Sequence, residues 1–316
     1  LSSAGFLISW LLPLGLALAA AGAAADCPAV AVLTTTDGAD GQPRITVAID
    51  GGDRLFVLDT GAPAGVLRES VAEELGLARK PIPLNAVTGV GGRPFEEQTV
   101  VPKVGLGGLT LTDVAFLIQP RSHAAEPDMA GLIGADLFSR YDLDLDLRHH
   151  RIALLAPGTC RPGGMASMAL TVLPSHHVIA AVGLDGTRID ALIDSGASQS
   201  IMTLDAARRF FGIDPEAGGG RPVGEIVAAD GGRVPAYVHL FRSLSLGSVA
   251  LGDVPVVLMG DETKRMHRPL SDGDGKLAAG GGGGLPDFIL GMTQLRRLHL
   301  IIAYADRMLY VADAPS

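Results

Sequence analysis

Two stretches of this chain are copies of one pattern, and that repeat limits the fold more than any other feature. Leu55-Phe56-Val57-Leu58-Asp59-Thr60-Gly61-Ala62 returns as Asp190-Ala191-Leu192-Ile193-Asp194-Ser195-Gly196-Ala197, 135 positions further on. Gly91-Gly92-Arg93 returns 140 positions on as Gly231-Gly232-Arg233. Leu106, Leu111, Asp113 and Val114 keep that spacing to Leu246, Leu251, Asp253 and Val254. Leu132-Ile133-Gly134 then returns as Ile289-Leu290-Gly291, 157 positions on. The landmarks keep their order and the offset only grows, as insertions into a duplicated unit would make it. Two homologous lobes are therefore expected, at 41–156 and 170–313, joined by a Pro- and Gly-rich linker at 157–169.

Within each lobe the pattern is one of short strands and turns. Ile45 to Ile49 alternates toward Gly51-Gly52, and Leu55 to Leu58 is a buried apolar run ending at Asp59. Ala64 to Leu77 carries helical spacing at Val66, Val71 and Leu75. Hairpins are expected with tips at Thr88 to Gly92 and at Asp230-Gly231-Gly232. Tyr141 to Leu147 alternates apolar residues with Asp, the pattern of a half-exposed strand. Forty-two glycines and only 4% aromatic residues suit such a turn-rich β architecture. The second lobe holds an extra stretch, 261–285, with Lys264, Arg265, His267 and Arg268 and then five glycines at 280–284. It has too little apolar material for a core and reads as a flexible surface loop. No Lys-Ser/Thr follows the glycines, which leaves little support for phosphate binding.

The N-terminal 25 residues carry no charge. Their apolar run from Phe6 to Ala21, followed by Ala23-Ala24-Ala25, reads as a secretory signal peptide. Its first residues lack the usual Lys or Arg, and the chain opens on Leu1 rather than Met, so a start upstream is open. An uncleaved membrane anchor is the rival reading. A lipid anchor on Cys27 is disfavoured by Asp26 before it. Export, periplasmic or extracellular, would place Cys27 and Cys160 where they can pair or remain two thiols; spacing decides neither. Two cysteines exclude a disulfide scaffold and a four-cysteine zinc module. The net charge of −9, from 34 acidic against 25 basic side chains, excludes the electrostatic footprint of a nucleic-acid binder.

An isolated Asp-Thr-Gly is most often a turn, its carboxylate bonded to nearby backbone N–H groups. Two copies at equivalent points of two similar lobes mean more, because an approximate two-fold axis brings equivalent points together. Asp59 and Asp194 could then face each other and share one proton. Such a pair is a base and an acid at once, able to add water to an amide without a metal. Gly61 and Gly196 permit close backbone approach. The hydroxyls of Thr60 and Ser195 are suited to tying the two loops together beneath the carboxylates.

Val57 to Ala62 and Leu192 to Ala197 resemble the active-site signatures of aspartic proteases. Leu132-Ile133-Gly134 and Ile289-Leu290-Gly291 resemble the apolar-apolar-Gly motif that follows in each lobe of the retropepsin-like members. The resemblance implies an all-β fold of two homologous retropepsin-like closed β-barrel lobes with short helices and an active-site cleft between them. It implies catalytic Asp59 and Asp194, supported by Thr60, Gly61, Ala62, Ser195, Gly196 and Ala197. It places substrate-binding flaps at Val87 to Pro94 and Val227 to Val234, with Gly91, Gly92, Gly231 and Gly232 at their tips. Ser198 fits the family's substrate-contacting position, whereas Pro63 departs from it, and neither flap tip carries Tyr.

The expected activity is peptide-bond hydrolysis by a water activated between the two aspartates. No cofactor, metal or nucleic acid is expected, the partner being a peptide or protein substrate. A non-catalytic exported peptide-binding or scaffold protein with the same fold is the alternative. A linker of about fourteen residues lets both lobes meet within one chain, so a monomer is expected. Adjacent His149-His150 and His176-His177 point in different directions, which disfavours joint metal ligation. Asp142, Asp144 and Asp146 share a strand face that could hold Ca²⁺, but a solvated face is preferred. Ser167 and Ser175 lack the G-x-S-x-G setting of a serine hydrolase.

Overall fold

The duplication is plainest at two Asp-Gly turns. Strands β2 (Pro43–Ile49) and β3 (Gly52–Leu58) are joined by Asp50-Gly51, with φ of 49° and 87°. In the second lobe β12 (Val178–Leu184) and β13 (Thr187–Ile193) are joined by Asp185-Gly186, with φ of 45° and 81°. Two successive left-handed residues make the type I′ turn, whose twist matches that of the strands it joins. In a computed structural model of the chain, the described residues are 27–83, 95–120, 128–227, 233–260 and 286–314.

Each hairpin opens a closed six-stranded barrel. In the first lobe β3 runs parallel to β8 (Met129–Ile133), which pairs with β4 (Val66–Arg68). Strand β4 pairs with β7 (Leu109–Gln119), β7 with β6 (Glu97–Leu106), and β6 returns to β2. The second lobe closes the same ring from β13 through β18 (Phe288–Leu290), β14 (Ile201–Thr203), β17 (Val249–Met259) and β16 (Arg233–Leu246) back to β12. Alternate residues point inward, so Ile45, Val47, Ile49, Phe56 and Leu58 fill one barrel. Val178, Ala180, Val182, Leu184 and Ile193 fill the other.

A third sheet joins the lobes, and local sequence pattern gives no sign of it. Its order is β1 (Ala29–Asp37), β10 (Arg151–Leu155), β9 (Asp142–Asp146), β19 (Leu298–Ala303), β20 (Met308–Asp313) and β11 (Ala166–Val172). Each lobe supplies three strands, and the pair β9–β19 crosses the boundary with Leu143 opposite Ile302 and Leu145 opposite Leu300. Strand β1 therefore extends the folded unit before residue 41, and β11 takes up the end of the expected linker.

This sheet corrects the reading of 141–147 as half-exposed, because β9 is covered on both faces. Asp142 is 0% and Asp144 7% exposed, so they are not a solvated strand face. Asp142 accepts hydrogen bonds from the Gly158 and Ala305 N–H groups. Asp144 accepts from Arg151 at 2.8 Å and lies 2.7 Å from His299 of the other lobe. Those two partners hold its carboxyl below its ordinary range despite burial, and Asp144 raises the His299 ring in return. These aspartates are structural ties between elements.

Four short helices complete the described residues. The helical pattern read over 64–77 is confined to α1 (Glu69–Glu74), since Val66–Arg68 is drawn into the barrel as β4. Helices α2 (Ala135–Phe138) and α4 (Met292–Leu295) follow the repeated apolar-apolar-Gly motif. Helix α3 (Leu204–Phe211) is capped by Thr203, whose hydroxyl accepts from the Ala206 N–H at 3.2 Å, and stops at Gly212 with φ of 65°.

Cys27 and Cys160 form a disulfide, Cα atoms 5.0 Å apart, packed against Ala153, Leu155, Ile301 and Tyr310. It spans 133 residues and staples the start of β1 to the linker. Removing it frees a long loop of the unfolded chain. Cys160→Ser is therefore expected to lower unfolding stability by about 2–4 kcal/mol. Urea unfolding should show that loss, and added reductant should destabilise the wild type but not the variant. The extra stretch 261–285, the N-terminal segment 1–25 and both expected flap tips lie outside the described residues.

Candidate active site

Each repeated motif sits where a buried strand of the barrel ends. The Asp59 N–H donates to the Ile133 carbonyl at 3.0 Å, and the Asp194 N–H to the Leu290 carbonyl at 3.0 Å. Each extends the parallel pairing by one residue before the chain turns. The Ala135 N–H then donates to the Ala62 carbonyl, and the Met292 N–H to the Ala197 carbonyl, both at 2.8 Å. The glycine of the later motif is required by this crossing. A Cβ on Gly134 would lie 2.5 Å from the Ala64 carbonyl carbon, and one on Gly291 2.3 Å from the Gln199 carbonyl oxygen.

Thr60 and Ser195, both fully buried, clasp the two loops to each other. The Thr60 hydroxyl donates to the Ile193 carbonyl at 2.9 Å and accepts from the Ser195 N–H at 3.0 Å. The Ser195 hydroxyl donates to the Leu58 carbonyl at 2.7 Å and accepts from the Thr60 N–H at 3.0 Å. All four bonds cross between lobes, and together they satisfy two backbone donors that burial would otherwise strand.

The clasp leaves Asp59 and Asp194 side by side. Asp59 accepts from the Gly61 N–H at 2.9 Å; Asp194 accepts from the Gly196 and Ala197 N–H groups at 2.8 and 3.1 Å. Each glycine also covers the opposite carboxylate. A Cβ on Gly61 would lie 2.3 Å from the Asp194 carboxyl carbon, and one on Gly196 2.3 Å from that of Asp59. The two carboxyl groups hydrogen-bond each other. Burial pushes both above the ordinary carboxylate range, and the Asp194 charge pushes Asp59 further. Asp194 is held down by the N–H groups of Gly196, Ala197 and Gly61. The pair therefore holds one proton between its two carboxyls at rest.

The structure therefore brings together Asp59, Thr60, Gly61 and Ala62 with Asp194, Ser195, Gly196 and Ala197. Ser198 is half-buried beside them, its carbonyl accepting from the Thr293 hydroxyl at 3.1 Å. Gly91, Gly92, Gly231 and Gly232 lie outside the described residues. His149 pairs with Asp146, and His150 lies 3.7 Å from Asp37, both far along the chain from the dyad motifs. Among the described residues no group of three or more His, Cys, Asp or Glu is placed to hold a metal ion.

Sequence reading missed five polar groups that support the loops. In the first lobe Asp136 accepts from the Gly65 N–H at 3.0 Å. In the second, the Ser200 hydroxyl accepts from the Gly291 N–H at 3.0 Å and donates to Gln294, which in turn donates to the Pro255 carbonyl. Gln42 and His177 reach the two loops from opposite lobes, Gln42 donating to the Gly196 carbonyl and His177 lying 2.8 Å from that of Gly61. Their one sequence signal is that they too stand 135 positions apart.

The family comparison agrees with this layout. The sequence matches the family described as aspartyl protease twice, over residues 45–137 and 180–293. It is similar in structure to Basic 7S globulin from soybean at 11% sequence identity and a TM-score of 0.49, covering 89% of this chain and 96% of that one. No curated protein matches it. The two matched stretches take in one barrel each and both Asp-Thr/Ser-Gly-Ala loops, more than half of the whole, and on that ground the chain belongs to the aspartyl protease family.

Proposed function

We propose that this protein is an aspartic endopeptidase in which a single chain supplies both catalytic groups, Asp59 and Asp194. The observation that carries the reading is the mutual packing of the two loops. Each glycine lies against the other lobe's carboxylate, so both acids face one point between the lobes. A water held there loses a proton to the ionised carboxyl of the pair as its oxygen attacks the peptide carbonyl carbon. The protonated carboxyl gives its proton to the carbonyl oxygen, and a tetrahedral diol forms. Collapse of the diol breaks the C–N bond; the proton taken from water goes to the leaving nitrogen, and the other carboxyl recovers its own. The chain starts and ends the cycle with one proton between two carboxyls.

The reading includes export, with residues 1–25 as a cleaved signal peptide. The Cys27–Cys160 disulfide supports it, since such bonds persist in oxidising compartments. The chain is read as a monomer, because one copy already provides both halves of the dyad. The substrate class is a peptide or unfolded protein segment.

Digestion of a peptide library by the purified protein between about pH 3.5 and 7.5, read by mass spectrometry, tests the reading. Cleavage is expected on the acid side and should fade as rising pH strips the shared proton. A folded protein that binds the library but cuts nothing at any of these pH values would be a peptide-binding protein instead.

A further inference from the structure

The turns that lead into the two barrels are the same turn. In the first lobe the Gly38 N–H donates to the Gln42 carbonyl and the Gly41 N–H to the Gly38 carbonyl. In the second the Leu173 N–H donates to the His177 carbonyl and the His176 N–H to the Leu173 carbonyl. Each residue stands 135 positions from its counterpart, the spacing that separates the two aspartates. Even the backbone hand agrees, with φ of 82° at Gly41 and 65° at His176.

The last residue of each turn crosses to the other lobe. Gln42 donates its amide N–H to the Gly196 carbonyl. His177 is 6% exposed; its Nε2 lies 2.8 Å from the Gly61 carbonyl and its Nδ1 2.7 Å from the Ser175 hydroxyl. A carbonyl only accepts, so Nε2 carries the hydrogen and Nδ1 of the neutral ring accepts from Ser175. Burial favours that neutral ring.

We propose that Gln42 and His177 are positioning residues for the dyad, each fixing a peptide plane in the loop that carries the opposite lobe's aspartate. The Gly196 carbonyl belongs to the same planar peptide as the Ala197 N–H, which donates to Asp194 at 3.1 Å. The Gly61 carbonyl belongs to the peptide of the Ala62 N–H, which donates to the Asp59 backbone carbonyl at 3.4 Å and closes the turn that carries that carboxyl. Glycine leaves such a peptide free to rotate. A donor anchored in the opposite lobe removes that freedom, and it does so from the lobe whose aspartate must meet its partner there. The Thr60–Ser195 clasp sets the distance between the loops; Gln42 and His177 set the orientation of their peptides.

The inference rests on Asp59 and Asp194 being the catalytic pair. His177→Ala is expected to lower kcat about tenfold or more while KM changes by less than about twofold, because the peptide plane and not substrate binding is lost. His177→Gln should restore most of the rate, since Gln42 performs that task in the other lobe. An unchanged kcat in His177→Ala, or a His177→Gln variant no better than alanine, overturns the proposal. A second reading needs no turnover. Nitrogen-15 NMR of the His177 ring at neutral pH should show a neutral imidazole protonated on Nε2, and protonation on Nδ1 alone overturns the contact. If the wild type cleaves nothing, the dyad reading fails, and the ring tautomer still decides whether His177 holds the Gly61 peptide.

Discussion

Asp194→Asn is expected to abolish peptide cleavage and, at neutral pH, to make the folded protein harder to melt. Asn keeps the shape of the side chain and an oxygen to accept from the Gly196 and Ala197 N–H groups. It can neither take a proton from water nor carry the shared one, so kcat/KM should fall by about 10⁴-fold or more, which is about 5 kcal/mol of barrier. The stability gain follows from the same charge. Both carboxyls are raised in the folded protein, first by burial. A raised acid contributes stability that is present below the unfolded value, about pH 3.8, and is lost as pH rises through the folded value. At pH 7 the wild type therefore folds against the cost of the buried charge that the pair carries, and the neutral amide should remove that cost. Melting of both proteins at about pH 3 and pH 7 checks the sign. The variant should be the more stable at pH 7 and level with wild type at pH 3. A variant less stable at pH 7 would refute the assignment of a shared, destabilising charge to this pair.

Gly196→Ala should cost almost as much activity for a purely steric reason. The added methyl would lie 2.3 Å from the carboxyl carbon of Asp59 and 2.3 and 2.4 Å from its two oxygens, closer than atoms can approach. Either Asp59 moves off Asp194 or the two loops part, and parting them stretches the four clasp bonds of Thr60 and Ser195. Misplacing a reacting group by about 1 Å costs on the order of 10²-fold in rate. The overpacking itself costs about 1–3 kcal/mol of stability. Steady-state kinetics beside a urea melt measures both, and a variant with wild-type kcat would show that the glycine does not pack on the dyad.

The two expectations draw on different layers of information. The aspartates, their glycines and the Thr60 and Ser195 hydroxyls were legible because the chain states them twice in one local pattern. The barrel strands were legible in part, from the period-2 burial of Ile45 to Ile49 and the apolar run into Asp59. Where sequence reading erred, a distant partner overrode the local pattern. Val66, spaced as if on a helix, belongs to a strand because β7 and β8 take it up on either side. Asp142 and Asp144, spaced as if to face water, are buried and bonded instead to groups distant in sequence, Ala305 and His299 of the other lobe among them. Gln42 and His177 carry no local signature at all, since each is defined by a carbonyl more than a hundred residues away.

Sequence by itself determined that the protein is a duplicated β unit with one carboxylate per copy, because duplication and strand period are written in short-range order. Only the tertiary structure decided what else joins the copies: a six-stranded sheet and two crossed turns. Backbone carbonyls and N–H groups are the same in every residue. Which of them meet across the lobe boundary depends on where two closed barrels come to rest against each other, and no run of neighbouring side chains encodes that.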